Sequence, residues 1–292
     1  MKIALYARSV DSKLLPKLKD FFNSLADYGF DIHIYNEFLL FLKNQYNYEP
    51  PIDGVFYGYK DLDVQIDFIV SIGGDGTFLD TLSLVRDTKI PVIGINSGKL
   101  GFLASISKEN ILEAVESLYQ GDYTIEKRTL LRMNPGDQLF GDFNYALNDI
   151  SIQKKDSQMI TVHVYIDNVY LNTYWADGLI VATPTGSTAY SLSVGGPIVM
   201  PDASDIIISP ISPHNLTVRP IVIPDEGKIT LIPEGRCSKY LVSMDHHSKI
   251  VDQSHNIHIE KADFSMHVLR LGEADYYSTL RNKLMWGMDK RN

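Results

Sequence analysis

Apolar positions in the first third of the chain follow two alternating rhythms. Short β-rich runs at Lys2–Ala7, Asp31–Tyr35, Val64–Ile72 and Ile90–Ile95 take turns with stretches in which Leu and Phe recur every three or four residues. Ser12–Tyr28 carries Leu14, Leu15, Leu18, Phe21, Phe22 and Leu25 at that spacing, which predicts an amphipathic helix. Phe78–Val85 and Ile111–Tyr119 read the same way, the second closed by Gly121, while Phe38–Leu42 is an apolar stretch behind the second strand. Val64–Ile72 is mostly apolar, the pattern of a strand covered on both faces of a parallel sheet. The alternation implies an open, Rossmann-like α/β sheet over residues 1–123.

From about Thr124 the helical period vanishes. Runs such as Tyr145–Gln153, Ile160–Ile166, Gly178–Thr183, Lys228–Ile232, Leu241–Met244 and Ile257–Glu260 are separated by Gly, Pro, Asp and Asn. They predict a mostly β, antiparallel, sandwich-like second domain over 124–270. Residues 271–292 return to helical composition at Tyr277–Trp286, a segment expected to pack back on the first domain.

Composition narrows the partners. The chain has 292 residues, 45% of them hydrophobic and 22% charged, enough apolar material for two cores. Its formal charge of −9 excludes a protein that lives on nucleic-acid phosphates, so an anionic ligand needs a local site of backbone N–H groups or a metal. One cysteine, Cys237, excludes an intrachain disulfide and a thiolate metal cluster and suits a reducing compartment. Arg8 interrupts the N-terminal apolar run too soon for a secretory signal, and no run approaches a bilayer span. A cytoplasmic protein without membrane contact is expected.

Candidate chemistry lies in three places. Gly73-Gly74-Asp75-Gly76-Thr77 follows a buried strand and opens a helix, leaving the first N–H groups of that helix free for phosphate oxygens. A carboxylate in such a cradle needs a reason: a metal ion, a hydroxyl to bind, or a proton to accept. The structural alternative is an ordinary turn with Asp75 as N-cap. Asn148-Asp149 is a polar pair inside an apolar run, suited to an adenine edge and a ribose diol, or else a β-bulge or strand end. Asp177–Pro197 strings together small hydroxyl residues and glycines, on which a flat heterocycle and its phosphates can lie, with Tyr190 offering a face for stacking.

These segments together resemble the NAD kinase family, which phosphorylates the adenosine-ribose 2′-hydroxyl of NAD. Gly73–Thr77, Leu147–Asp149, Asp177–Pro197 and Ser212–Pro220 match its pattern in order, followed more weakly by Ser243-Met244-Asp245 and Tyr277–Leu284. The first motif is shared with diacylglycerol-kinase-like and phosphofructokinase-like enzymes, so a lipid or sugar kinase is one alternative. A catalytically silent NAD(P) sensor is the other.

The resemblance implies that Asp75 is the base, that Gly73, Gly74, Gly76 and Thr77 line the phosphate path, and that ATP acts with Mg²⁺ or another divalent ion bridging its phosphates. It places Gly76, Phe102, Asn148, Asp149, Asp177, Thr185, Thr188, Ala189, Tyr190, Ser191, Leu192, Ser193 and His247 at the NAD site. His246 competes with His247, because neighbours on a strand face opposite ways. Asp149 stands where the family usually carries Glu. Trp175 and Asp80 stand where basic residues are common, so no phosphate contact carries over to them. A homotetramer with shared sites is implied as well.

Overall fold

The N-terminal rhythm of strand and helix builds β1 (Lys2–Tyr6), α1 (Leu15–Asp27), β2 (Asp31–Tyr35), α2 (Asn36–Tyr46), β3 (Gly54–Phe56), β4 (Phe68–Gly73), α3 (Asp75–Val85), β5 (Val92–Asn96), β6 (Ile106–Ser107), α4 (Ile111–Gln120) and β7 (Tyr123–Arg128). The structure is a computed structural model that describes residues 1–62, 65–98, 101–134, 139–235, 239–252, 254–272 and 276–285. Val64, Lys99, Leu100, Cys237 and Trp286 lie outside the described residues. Helix α1 buries Leu18, Phe21, Phe22 and Leu25 as its periodicity requires. It starts three residues later than expected, because Asp11 holds the preceding turn by accepting the Lys13 N–H with its side chain and the Leu14 N–H with its carbonyl. The Phe38–Leu42 stretch proves to be part of a whole helix, α2, which buries Phe38, Leu39 and Leu42 and which Asn47 ends in the left-handed region at φ 48°. Gly121 closes α4 in the same way at φ 75°.

The second unit continues with β8 (Leu131–Met133), β9 (Tyr145–Ala146), β10 (Asp149–Lys154), β11 (Ile160–Ile166), β12 (Val169–Ala176), β13 (Gly178–Ala182), a single helical turn α5 (Tyr190–Ser193), β14 (Asp205–Ile211), β15 (Ile221–Pro224), β16 (Ile229–Glu234), β17 (Lys239–Met244), β18 (His247–Asp252) and β19 (Ile257–Lys261). The chain then adds β20 (Met266–Leu271) and α6 (Tyr276–Leu284). The units are Met1–Lys127 with Met266–Asn292, and Arg128–Ser265.

In the first unit the strand order is β3-β2-β1-β4-β5-β20-β7, and β3, β2, β1, β4, β5 and β20 pair in parallel. Every residue of β4 is buried, Ser71 included, as its mostly apolar run predicts. The chain leaves β1 toward β2 on one side and β4 toward β5 on the other, so the carboxyl ends of β1 and β4 flank a topological switch point, where open α/β sheets bind ligands. The glycine turn sits there.

The second unit stacks two antiparallel sheets, β15-β14-β13-β10-β17-β18 and β12-β11-β16-β19-β8-β9. Alternate residues of each, among them Ile150, Ile152, Val162, Val164, Leu179, Val181, Tyr240 and Val242, fill one core. The run Tyr145–Gln153, read from sequence as one strand, is two. Tyr145–Ala146 belongs to one sheet and Asp149–Lys154 to the other, and the polar pair sits at the break.

Candidate active site

Strand β4 ends at Gly73, where a Cβ would press into the Thr77 side chain and shut the turn. The next helix is capped by the Gly74 backbone, and no side chain caps it. Asp75 is therefore inside the first turn of α3, which removes the N-cap alternative. Its carboxylate has another task. Oδ2 accepts the Phe102 N–H at 2.8 Å, and Oδ1 accepts those of Leu103 at 3.1 Å and Ala104 at 3.0 Å. Gly101 is obligatory beside it, since a Cβ there would run into that carboxylate. The loop is tied in turn to β4 and β5: the Ser97 N–H donates to the Gly73 carbonyl, the Gly98 N–H to Asn96 Oδ1, and Asn96 Nδ2 to the Ala104 carbonyl. Asp75 is thus joined to the 102–104 segment through main-chain donors alone.

Asp80, five residues further along α3, is buried. It accepts from Arg8 at 2.6 Å and from the Tyr6 hydroxyl at 3.2 Å. Burial, then the Asp80 charge, push the Tyr6 hydroxyl up to about 12. Arg8, on the chain leaving β1 at the other flank of the switch point, is the counter-charge of Asp80.

In the second unit the Asn148-Asp149 break is held from outside. Asp245 accepts the backbone N–H groups of Leu147 at 2.9 Å, Asn148 at 2.8 Å and Asp149 at 3.1 Å. On the opposite side Thr183 Oγ1 donates to the Leu147 carbonyl at 2.6 Å, the Thr183 N–H donates to the Asn148 carbonyl at 2.9 Å, and the Gly186 N–H donates to Thr183 Oγ1 at 3.0 Å. A Cβ on Gly186 would strike the Asn148 carbonyl, so this glycine lets the Thr183–Ser193 segment lie directly on the polar pair. Burial, reinforced by the Asp245 charge, raises the Asp149 carboxyl to about 7. Burial also raises Asp245, against the pull of its three N–H donors and of His247.

The expected dinucleotide residues divide by exposure. Tyr190 and Ser193 are exposed and Thr188, Ala189 and Leu192 partly so, whereas Thr185 and Ser191 are buried, the Ser191 hydroxyl bonding Ser209 at 3.0 Å. Asp177 stands apart. It precedes the start of β13 while Asn148 and Asp149 lie against its end, roughly 20 Å away at 3.4 Å per residue, and Lys154 holds its carboxylate at 2.6 Å. The strand argument about the two histidines fails for a local reason: Asp245, at φ 50°, and His246 form the two-residue turn between β17 and β18, and the His246 and His247 rings pack together with centroids 4.0 Å apart. Asp245 is the residue the sequence reading undervalued. Its signal was a carboxylate between two strand runs, at a place where only a turn fits.

A parallel sheet of switch-point topology with a glycine-cradled carboxylate, followed by an antiparallel sandwich, defines a nucleotide-binding enzyme with an appended β domain. Residues 47–123 match the family model of the ATP-NAD kinase N-terminal domain and residues 147–271 that of the ATP-NAD kinase C-terminal domain. The chain is 42% identical over 295 residues to an NAD kinase of Flavobacterium johnsoniae, covering 100% of both chains. An Archaeoglobus fulgidus NAD kinase solved in complex with ATP superposes with a TM-score of 0.74 at 27% identity, covering 98% of this chain and 99% of that one. A yeast NADH kinase solved with NADH shares the fold, with a TM-score of 0.84 at 22% identity and coverage of 99% and 89%. The chain belongs to the NAD kinase family.

Proposed function

We propose that this chain transfers the γ-phosphoryl group of ATP to the 2′-hydroxyl of the adenosine ribose of NAD, giving NADP and ADP. The observation that carries the residue assignment is the carboxylate of Asp75, fixed by three main-chain donors at the switch point. Oδ2 carries one of these bonds and Oδ1 two, so Oδ2 keeps acceptor capacity for the ribose hydroxyl. The new O2′–Pγ bond forms as the bond from Pγ to the β,γ-bridging oxygen breaks, and the hydroxyl proton passes to Asp75. Phosphoryl transfer has a loose transition state, so positioning outweighs base strength and a carboxylate suffices.

A divalent ion such as Mg²⁺ would be held by nucleotide phosphates more than by Asp75, whose lone pairs backbone N–H groups largely occupy. Such an ion would neutralise phosphate charge. Gly73, Gly74, Gly76 and Thr77 line the phosphate path in this reading, and Phe102, Asn148, Asp149, Thr188, Ala189, Tyr190, Ser193 and His247 take NAD. The distance of Asp177 from Asn148 supports a role in completing the site of a second copy, in keeping with a homotetramer. No helix among the described residues is long and apolar enough to cross a membrane, and a cytoplasmic location is part of the proposal.

Purified protein given NAD, ATP and Mg²⁺ is expected to form NADP, read with an NADP-specific dehydrogenase. Tight NADP binding with no phosphate transferred from radiolabelled ATP would replace the enzyme with a sensor.

A further inference from the structure

Helix α6 carries an anomaly. A lysine half-buried on a protein surface normally lays its aliphatic stem on apolar neighbours and lifts the ammonium into water. Lys283 does the reverse: its Nζ is buried, and it has no hydrogen-bond partner among the described residues. It lies 5.7 Å from the centroid of the Phe102 ring, within reach of a cation–π contact. A ring face is poor compensation for a desolvated ammonium with three donors and no acceptor.

The ring is not placed at random. Phe102 gives its N–H to Asp75 Oδ2 at 2.8 Å and accepts from Arg270 Nη2 on its carbonyl at 3.4 Å, while Arg270 is also paired with Glu126. The lysine thus stands over a side chain whose backbone is clamped to the candidate base. Burial pulls its pKa down to about 8; the negative charge of Asp75 opposes that shift and Arg270 adds to it. A bound anion offering acceptor oxygens would stabilise its charged form.

We infer that Lys283 is a phosphate-binding residue whose Nζ donates to a non-bridging phosphate oxygen of a nucleotide lying over Phe102. This rests on the kinase reading given above. The phosphate belongs either to the pyrophosphate of the dinucleotide or to the triphosphate of ATP, and kinetics distinguishes the two.

The test uses Lys283→Met, which keeps the stem, and Lys283→Arg, which keeps the charge. Loss of one charge-assisted hydrogen bond predicts a change of about 10- to 100-fold in Lys283→Met. A rise in KM for NAD alone places the lysine on the dinucleotide, a rise for ATP alone places it on the triphosphate, and a fall in kcat with both KM values kept places it on the group in flight. In each case Lys283→Arg recovers part of the loss and Lys283→Met melts no lower than wild type. Wild-type kinetics in Lys283→Met overturns the inference, and so does a loss that Lys283→Arg fails to restore and that tracks a lowered melting temperature. Should wild type itself make no NADP, the kinase reading fails first. Calorimetric titration of inorganic pyrophosphate into wild type and Lys283→Met then decides for the lysine, equal affinities overturning it.

Discussion

Replacing Asp149 by Asn should make the protein more stable at alkaline pH and slightly less stable in acid. Asp149 is 5% exposed, and its carboxyl is raised from 3.8 to about 7, chiefly by burial and then by the Asp245 charge. In the unfolded chain the same group titrates near 3.9. Between about pH 4 and 7 the fold therefore retains a proton that the unfolded chain has lost, so stability falls as pH rises through that window. About three units at 1.36 kcal/mol each set a ceiling of about 4 kcal/mol for the penalty at pH 8. Asn has no charge to desolvate, but it trades an acceptor oxygen for a donor, which costs about 1 kcal/mol. The net expectation is a gain of about 1–3 kcal/mol at pH 8 and a loss of about 1 kcal/mol at pH 4.5. Urea denaturation at both values, with m-values checked for two-state behaviour, measures this directly. A difference between variant and wild type that does not change with pH would refute the reasoning.

Other substitutions probe the first unit and the assembly. Asp75→Asn should retain NAD binding by calorimetry while NADP formation drops by at least about 100-fold, because the amide cannot accept the ribose proton; equal turnover would take Asp75 out of the mechanism. Gly101→Ala forces a methyl into the Asp75 carboxylate, so kcat should fall while circular dichroism still reports a fold destabilised by about 1–3 kcal/mol; unchanged kcat would mean the carboxylate need not hold its place. Light scattering at micromolar protein should find a tetramer, and a monomer would remove the shared-site reading of Asp177.

What the chain revealed in advance follows its periodicities. Val162, Val164, Leu18 and Phe22 announce their faces because burial on one side leaves an imprint at a spacing of two or of three to four. The break at Leu147-Asn148 left only a polar pair, open to a ligand site or a strand end, and nothing periodic announced that the chain changes sheet there. What interrupts the strand is the carboxylate of Asp245, 98 residues from Leu147, and one-dimensional pattern cannot see that partner. The same limit hid Arg8 as the counter-charge of Asp80, 72 residues away. Of the motif glycines only Gly73 meets a close neighbour, the Thr77 side chain, while Gly74 and Gly76 have open space where a Cβ would stand. Which atoms approach, an aspartate carboxylate at Gly101 and a backbone carbonyl at Gly186, required the folded chain.

The three main-chain donors on Asp75 couple the start of α3 to the segment after β5. Orienting the acid is thereby settled during folding, and arrival of the coenzyme has no such arrangement left to make. Mild denaturant that loosens the 102–104 segment should silence turnover before the rest of the sheet melts, so lost activity would serve as an early reporter of fraying at this edge.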